Sequence, residues 1–146
     1  MLKNIKVKDV MKKKFLIIKE NEPISSVLKK FRNGIDILTI TDKQGKFLGE
    51  IHEIDLLKLA INPKDVNEED IISFGFGVDF GWFAKKAGDI MNRHELTIEP
   101  DTPIEKAAIL MLKEDIMSLP VMENDKIIGI ITENEILKEL IKKRRR

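Results

Sequence analysis

Two copies of one unit make up most of the sequence, and that repetition limits the possible folds more than any other feature. Sliding the chain by 80 residues lays Lys8-Asp9-Val10-Met11 on Gly88-Asp89-Ile90-Met91, Leu16 on Leu96, Ile18 on Ile98 and Pro23-Ile24 on Pro103-Ile104. Gly49-Glu50-Ile51 then falls on Gly129-Ile130-Ile131, and Asp55-Leu56-Leu57-Lys58 on Glu135-Ile136-Leu137-Lys138. The register slips by one in the middle, where Gly34-Ile35 matches Asp115-Ile116. It recovers at a turn in which Lys43-Gln44-Gly45 is one residue longer than Asn124-Asp125. The repeating unit is about 55 residues long.

Each copy carries the same order of hydrophobic patterns. Phe15-Leu16-Ile17-Ile18 and Leu96-Thr97-Ile98 read as short strands. In the second copy Asp101-Thr102-Pro103 with Glu105 predicts a helix start with proline at the first helical position. Ile24, Val27, Leu28 and Phe31 recur at i, i+3, i+4 and i+7, as do Ile104, Ala107, Ala108 and Met111, which marks one apolar helix face. Two strands and a turn follow: Ile37 to Ile40, Asp42 to Gly45 and Phe47 to Ile51, echoed by Leu119 to Met122, Glu123 to Asp125 and Ile127 to Ile131. A second helix closes each unit, from Asp55 to Ile61 before Asn62-Pro63 and from Glu135 to Ile141. The predicted class is α/β, of α+β-like character, with β-α-β-β-α twice. A unit this small is marginal alone. Two copies packed face to face about a pseudo-twofold axis bury both apolar faces, and the cleft at their seam is a natural ligand site.

Composition narrows the chemistry. The absence of cysteine excludes a disulfide scaffold, a thiolate metal site and a cysteine nucleophile. With no tyrosine, only His52 and His94, and no His-Glu-x-x-His or Gly-Lys-Ser/Thr motif, the sequence holds no catalytic constellation, and neither an enzyme nor a metal site is expected. The 26 Lys+Arg balance 25 Asp+Glu, which argues against a surface that tracks nucleic acid throughout. The charged share of 35% exceeds the ~25% of an average domain, in the direction that heat-adapted proteins take. Charges in Met1 to Lys14 are too closely spaced for a secretory leader. No run approaches the ~18 apolar residues of a membrane span. The expectation is a soluble, cytoplasmic protein with no membrane contact.

The Asp9-Val10-Met11 and Asp89-Ile90-Met91 openings, the Gly34-Ile35 and Asp115-Ile116 turns, Leu119-Pro120-Val121 and the endings that start at Gly49 and Gly129 form two ordered sets at a constant offset. Through these marks nearly the whole chain resembles a stand-alone pair of cystathionine-β-synthase (CBS) domains, also called a Bateman module. The resemblance implies a three-stranded sheet and two helices per repeat, and a pair that forms a homodimer. It also implies regulatory, non-catalytic binding of AMP, ADP, ATP or S-adenosylmethionine, with an unknown effector protein reading the signal.

The endings carry the most chemistry. A carboxylate at a helix start can accept hydrogen bonds from ribose hydroxyls, and a Thr or Ser three residues earlier can donate to a phosphate. The first copy keeps Asp55 and sets His52 in the hydroxyl position; the second keeps Thr132 and lengthens the acid to Glu135. Spacing alone favours a helix cap, and the resemblance tips the reading toward ligand contact. The resemblance implies one pocket of Asp55 and His52 with Thr97, Ile116, Met117 and Pro120. It implies another of Thr132 and Glu135 with Ile17, Ile35 and Asp36, and the shorter acid favours the first. An imidazole at His52 would meet a phosphate, its alternative role being that of a half-exposed helix-entry residue. Arg93 with His94, and Lys13 with Lys14, fall where the resemblance places phosphate-facing loops, although the lysines also read as solvated surface.

The domain organisation is therefore 1–61 for the first repeat, 62–86 for a connector, 87–141 for the second repeat and 142–146 for a basic tail. In the connector Pro63 to Ser73 is expected to hold a short helix. Phe74, Phe76, Phe80, Trp82 and Phe83 then supply most of the chain's aromatics within one glycine-rich stretch. Such a load fits core packing or an interface, not a flexible linker. The tail either complements a helix dipole or hooks an anionic partner. Nucleic-acid binding, or a purely structural dimerisation role, is thus the alternative function, weakened by the lack of aromatics among the tail's charges.

Overall fold

A short strand, an amphipathic helix and a second strand generate a parallel crossover, because a chain that passes through a helix between two paired strands returns in the same direction. β1 (Leu16–Lys19) accordingly pairs in parallel with β2 (Ile37–Thr41), and α1 (Ile24–Lys30) joins them. β2 turns back into β3 (Phe47–His52) as an antiparallel hairpin. Asp42 Oδ1 accepts the Gln44 and Lys46 N–H groups at 2.9 Å in that turn, while Gly45 takes the left-handed conformation (φ 87°) that a side chain would disfavour. β4 (Asn92–Arg93) adds to the far edge of β3, giving the order β1-β2-β3-β4. The structure is a computed structural model, and it describes residues 2–32, 34–65, 67, 69 and 83–144.

The compact units do not follow the chain order of the repeats. Leu16–Glu95 forms the first-repeat unit, and Met1–Phe15 with Leu96–Arg146 forms the second-repeat unit. Each repeat thus hands its opening segment to the other. In the first-repeat unit the N–H groups of Ile24 and of Ala87 bond to Lys85 O (3.0 Å) and Glu22 O (2.8 Å). In the second-repeat unit Ile104 N–H bonds to Ile5 O at 2.9 Å and Val7 N–H to Thr102 O at 2.8 Å, the same pattern shifted by the repeat.

In the second-repeat unit β5 (Ser118–Glu123) and β6 (Lys126–Thr132) form the hairpin, with Ile98 bridged to Val121 on one side and Lys12 to Ile130 on the other. The strand expected at Leu96 to Ile98 is reduced to that single bridge. α2 (Ile104–Glu114) and α3 (Glu133–Arg144) complete the unit. Ile104, Ala107 and Met111 are buried with Val7, Leu119, Val121, Ile131 and Ile136 in its core. Ile18, Val27, Leu38, Ile40, Ile51, Ala87 and Ile90 form the core of the first-repeat unit. The apolar periodicity of α2 therefore points where it was expected to, whereas in α1 Val27 is buried and Ile24 packs on the core but Leu28 is 46% exposed.

Two local expectations need correction. Pro103 is the N-cap of α2, not its first helical residue, and Pro23 plays the same part in α1. Their bridges to Lys6 and Lys86 hold ψ at 142° and 146°, extended values incompatible with a helical turn. The closing helix of the first repeat is a 3-10 helix over Glu53–Ala60. It ends just ahead of Pro63, which disfavours helical geometry at Asn62. After Asn62 a 3-10 turn, Pro63–Asp65, is described. Residues 66, 68 and 70–73 of the expected connector helix, and the aromatic stretch up to Trp82, lie outside the described residues. Phe83 is described and exposed.

Gly49 and Gly129, at the head of the two endings, are required by the exchange of opening segments. A Cβ on Gly49 would stand 2.2 Å from Asn92 O, and one on Gly129 would stand 2.5 Å from Met11 Sδ and 3.0 Å from Lys12 O.

Candidate functional site

Each ending carries its chain from the last strand of a hairpin into a helix, and that junction fixes the acid. In the first repeat Asp55 Oδ2 accepts the His52 N–H at 2.8 Å and the Asn92 side-chain amide at 2.7 Å, with Lys58 Nζ 3.8 Å from Oδ1. In the second, Glu135 Oε1 accepts both the N–H and the hydroxyl of Thr132 at 2.8 Å, and Thr132 Oγ1 accepts the Asn134 N–H at 3.2 Å. Asp55, His52, Thr132 and Glu135 are all buried. Both acids are thus helix caps in their own right, each reaching back three residues to satisfy a strand-end N–H. The extra methylene of Glu135 lets it span the same gap as Asp55.

The two histidines, which sequence position kept far apart, converge on one carboxylate. His52 Nε2 lies 3.0 Å and His94 Nε2 3.3 Å from Glu50 Oε1, and Glu50 is 4% exposed. His94 also sets its ring edge-on to Phe47, with centroids 4.9 Å apart. Glu50 and His52 share a face of β3 because side chains two apart on a strand point the same way. Burial pushes the His52 imidazole down, but its hydrogen bond to Glu50 and the charges of Glu50, Asp55 and Asp36 outweigh that and raise it above the ordinary histidine value.

Glu50 and Asn92 were not among the expected ligand residues, and His94 was expected in a phosphate-facing loop, not beside His52. The signal for Glu50 was present: it is an acid inside an apolar strand where the other copy has Ile130. Asn92 and His94 reach the cluster only through the exchange of segments, which no local pattern announces.

The protonated form of His52 is the one favoured by folding. Its contribution to stability is therefore complete below the unfolded value near 6.5 and is lost as pH rises through the raised folded value. The melting temperature should fall across that interval more steeply in the parent than in His52→Thr; parallel profiles would contradict the assignment.

Each of the two expected residue sets draws on both units. Ile17, Ile35, Asp36 and Arg93 belong with Asp55 and His52 to the first-repeat unit, and Thr97, Ile116, Met117 and Pro120 belong with Thr132 and Glu135 to the second. Ile17 is exposed opposite Thr39, whereas Ile35 is buried in the core. Arg93 is exposed and pairs with Glu20 at 3.2 Å. Pro120 is buried and faces Ile130 across the hairpin, and Thr97 is exposed. Ile116 and Met117 line a cavity of about 430 Å³ between α2 and α3, with Met111, Leu112, Ile136 and Leu137. Among the described residues no group of three or more His, Asp or Glu is placed to hold a metal ion, and no helix is long and apolar enough to cross a membrane.

Comparison with known proteins agrees with this geometry. The CBS domain family model matches residues 7–62 and 87–142. The uncharacterized protein MJ1426 of Methanocaldococcus jannaschii is 32% identical over 92% of this chain and 90% of its own length. Some other relatives are far longer. The chain matches L-aspartate semialdehyde sulfurtransferase of the same organism at 29% identity over 89% of itself but only 22% of that enzyme, and spans 32% of the uncharacterized protein MJ1404. Among solved structures, the CBS domain pair of protein MJ0100, in complex with 5′-methylthioadenosine and S-adenosyl-L-methionine, superposes with a TM-score of 0.73 at 26% identity, covering 95% of this chain and 98% of that one. CBSX2 in complex with AMP shares the fold, with a TM-score of 0.74 at 22% identity over 95% and 98% of the two chains. From the matched repeats and the shared architecture, this chain belongs to the CBS domain family and is built as a pair of CBS domains.

Proposed function

We propose that the chain is a non-catalytic regulatory module that binds an adenosine-containing ligand, AMP, ADP, ATP or S-adenosylmethionine, through its two endings, and that an effector protein in the cytoplasm reads the occupancy. The observation that carries this reading is the buried acid at a helix start in both repeats, paired with His52 in one and Thr132 in the other. A carboxylate has lone pairs to spare after accepting two bonds; Asp55 and Glu135 each take those bonds on one oxygen, and the other, faced in Asp55 by Lys58 at 3.8 Å, keeps lone pairs for a ribose hydroxyl. The MJ0100 domain pair, bound to two adenosine compounds, supports that ligand class. The match to a minor part of a longer enzyme supports a regulatory part over a catalytic one.

Ligand at a hundred times its dissociation constant should stabilise the native state by ~2.7 kcal/mol, and raise the melting temperature by about 5–10 °C in a chain of this size. Melting in millimolar AMP, ADP, ATP and S-adenosylmethionine checks this, and a flat response to all of them counts against the reading.

Self-association is a second reading, favoured by the outer faces of α2 and α3. Leu112 is 85% exposed, and Ile109, Leu137 and Ile141 are about half exposed, an apolar area that usually marks a contact surface. A homodimer through these helices would sediment at twice the chain mass.

A further inference from the structure

We propose that an anionic ligand binds at the ending of the first repeat with uptake of a proton by the His52–Glu50–His94 cluster, whereas the second repeat binds without it. This rests on the adenosine-ligand reading above and adds to it a charge selectivity that differs between the two repeats.

Charge balance around His52 carries the argument. Glu50 faces it from its own strand, Asp55 from the following 3-10 helix, Asp36 from the segment before β2, and His94 from the segment after β4. Lys58 stands 3.8 Å from Asp55. Further out, Arg93 is engaged by Glu20 at 3.2 Å, and Glu95 by Lys46 at 3.6 Å. With both imidazoles neutral, three carboxylates face one ammonium, and a phosphate would enter a negative field. Protonating His52 offsets one of those negative charges while its Nε2 stays held by Glu50 at 3.0 Å.

Glu50 is a positioning residue here. One buried oxygen holds both rings, so it sets their orientation, and its charge favours the protonated form of His52. The second repeat has Ile130 and Thr132 at the matching positions and therefore no titrating group in this place. That internal difference serves as the control.

The test measures AMP affinity by calorimetry between pH 6.5 and 8.5 in the parent, in Glu50→Gln and in His52→Thr. One linked proton changes affinity by up to about tenfold per pH unit, and the titration of the nucleotide's own phosphate cancels between parent and variant. The parent should lose at least about fivefold more affinity than His52→Thr over this range. Proton uptake at fixed pH, read from the buffer dependence of the heat, should fall in both variants. Equal pH slopes overturn the proposal while leaving the adenosine reading intact; no binding of any adenosine ligand at any pH overturns both. A ligand-free arm follows the imidazole proton signals by nuclear magnetic resonance, where Glu50→Gln should lower the His52 midpoint. An unchanged midpoint sinks the proposal on its own. His52→Thr borrows the residue that the second repeat already uses, so the comparison survives should Glu50→Gln fail to fold.

Discussion

Gly49→Ala is expected to lower stability by about 1–3 kcal/mol, the cost of forcing volume into a packed site. The new Cβ would meet Asn92 O at 2.2 Å, Asn92 C at 3.0 Å and Arg93 Cα at 3.1 Å, all backbone, so relief requires β4 to move away from β3. That movement also withdraws Asn92 from Asp55 and His94 from Glu50, and damage to the ligand site should accompany the loss of stability. Gly129→Ala meets Met11 Sδ at 2.5 Å and Met11 Cγ at 2.9 Å first, and a methionine can swing aside, although Lys12 O at 3.0 Å cannot. The second substitution should therefore cost less. Thermal melting of both variants checks the order, and a Gly49→Ala protein as stable as the parent would contradict the close packing of β4 on β3.

Asp55→Ala should have the second large effect, on fold and ligand together. It strands two donors, the buried His52 N–H and the Asn92 amide, for a penalty of about 1–3 kcal/mol each way that a donor remains unsatisfied. It also removes the charge-assisted bonds proposed to the ribose, for a loss of about 1.5–3 kcal/mol in affinity. Asp55→Asn keeps one acceptor and the side-chain shape, so it should recover much of the stability but less of the binding. Glu135→Ala strands the N–H and hydroxyl of Thr132 in the same manner. Its cost in affinity is expected to be the smaller, on the view that the shorter acid forms the preferred site. Denaturation curves report the first quantity and ligand-induced melting shifts the second; a larger affinity loss in Glu135→Ala reverses the ranking.

The architecture was legible because it is written twice. Ile24, Val27 and Leu28 alone suggest only an amphipathic helix, but with Ile104, Ala107 and Ala108 at the same offset they define a repeat, and the apolar runs at Ile37 and Leu119 complete it. The exchange of opening segments was not legible. β4 is two residues long, and Lys12 pairs through a single bridge, too little for any periodicity to mark. The site shows the same division. Asp55 and Glu135 announced themselves by position, and their capping bonds are local enough to be anticipated from spacing. The Glu50 cluster depends on His94 arriving 44 residues later in the chain, by way of the same exchanged segment. What could be read in advance was the oddity of an acid at Glu50 where Ile130 stands in the other copy.

Calorimetric titration of AMP, ADP, ATP and S-adenosylmethionine into the purified chain tests the central claim most directly. The account predicts saturable heat with at least one of them, at submillimolar dissociation constant, weakened in Asp55→Asn. The absence of saturable heat with every one of these ligands at millimolar concentration, from a protein shown to be folded by its melting transition, would contradict it.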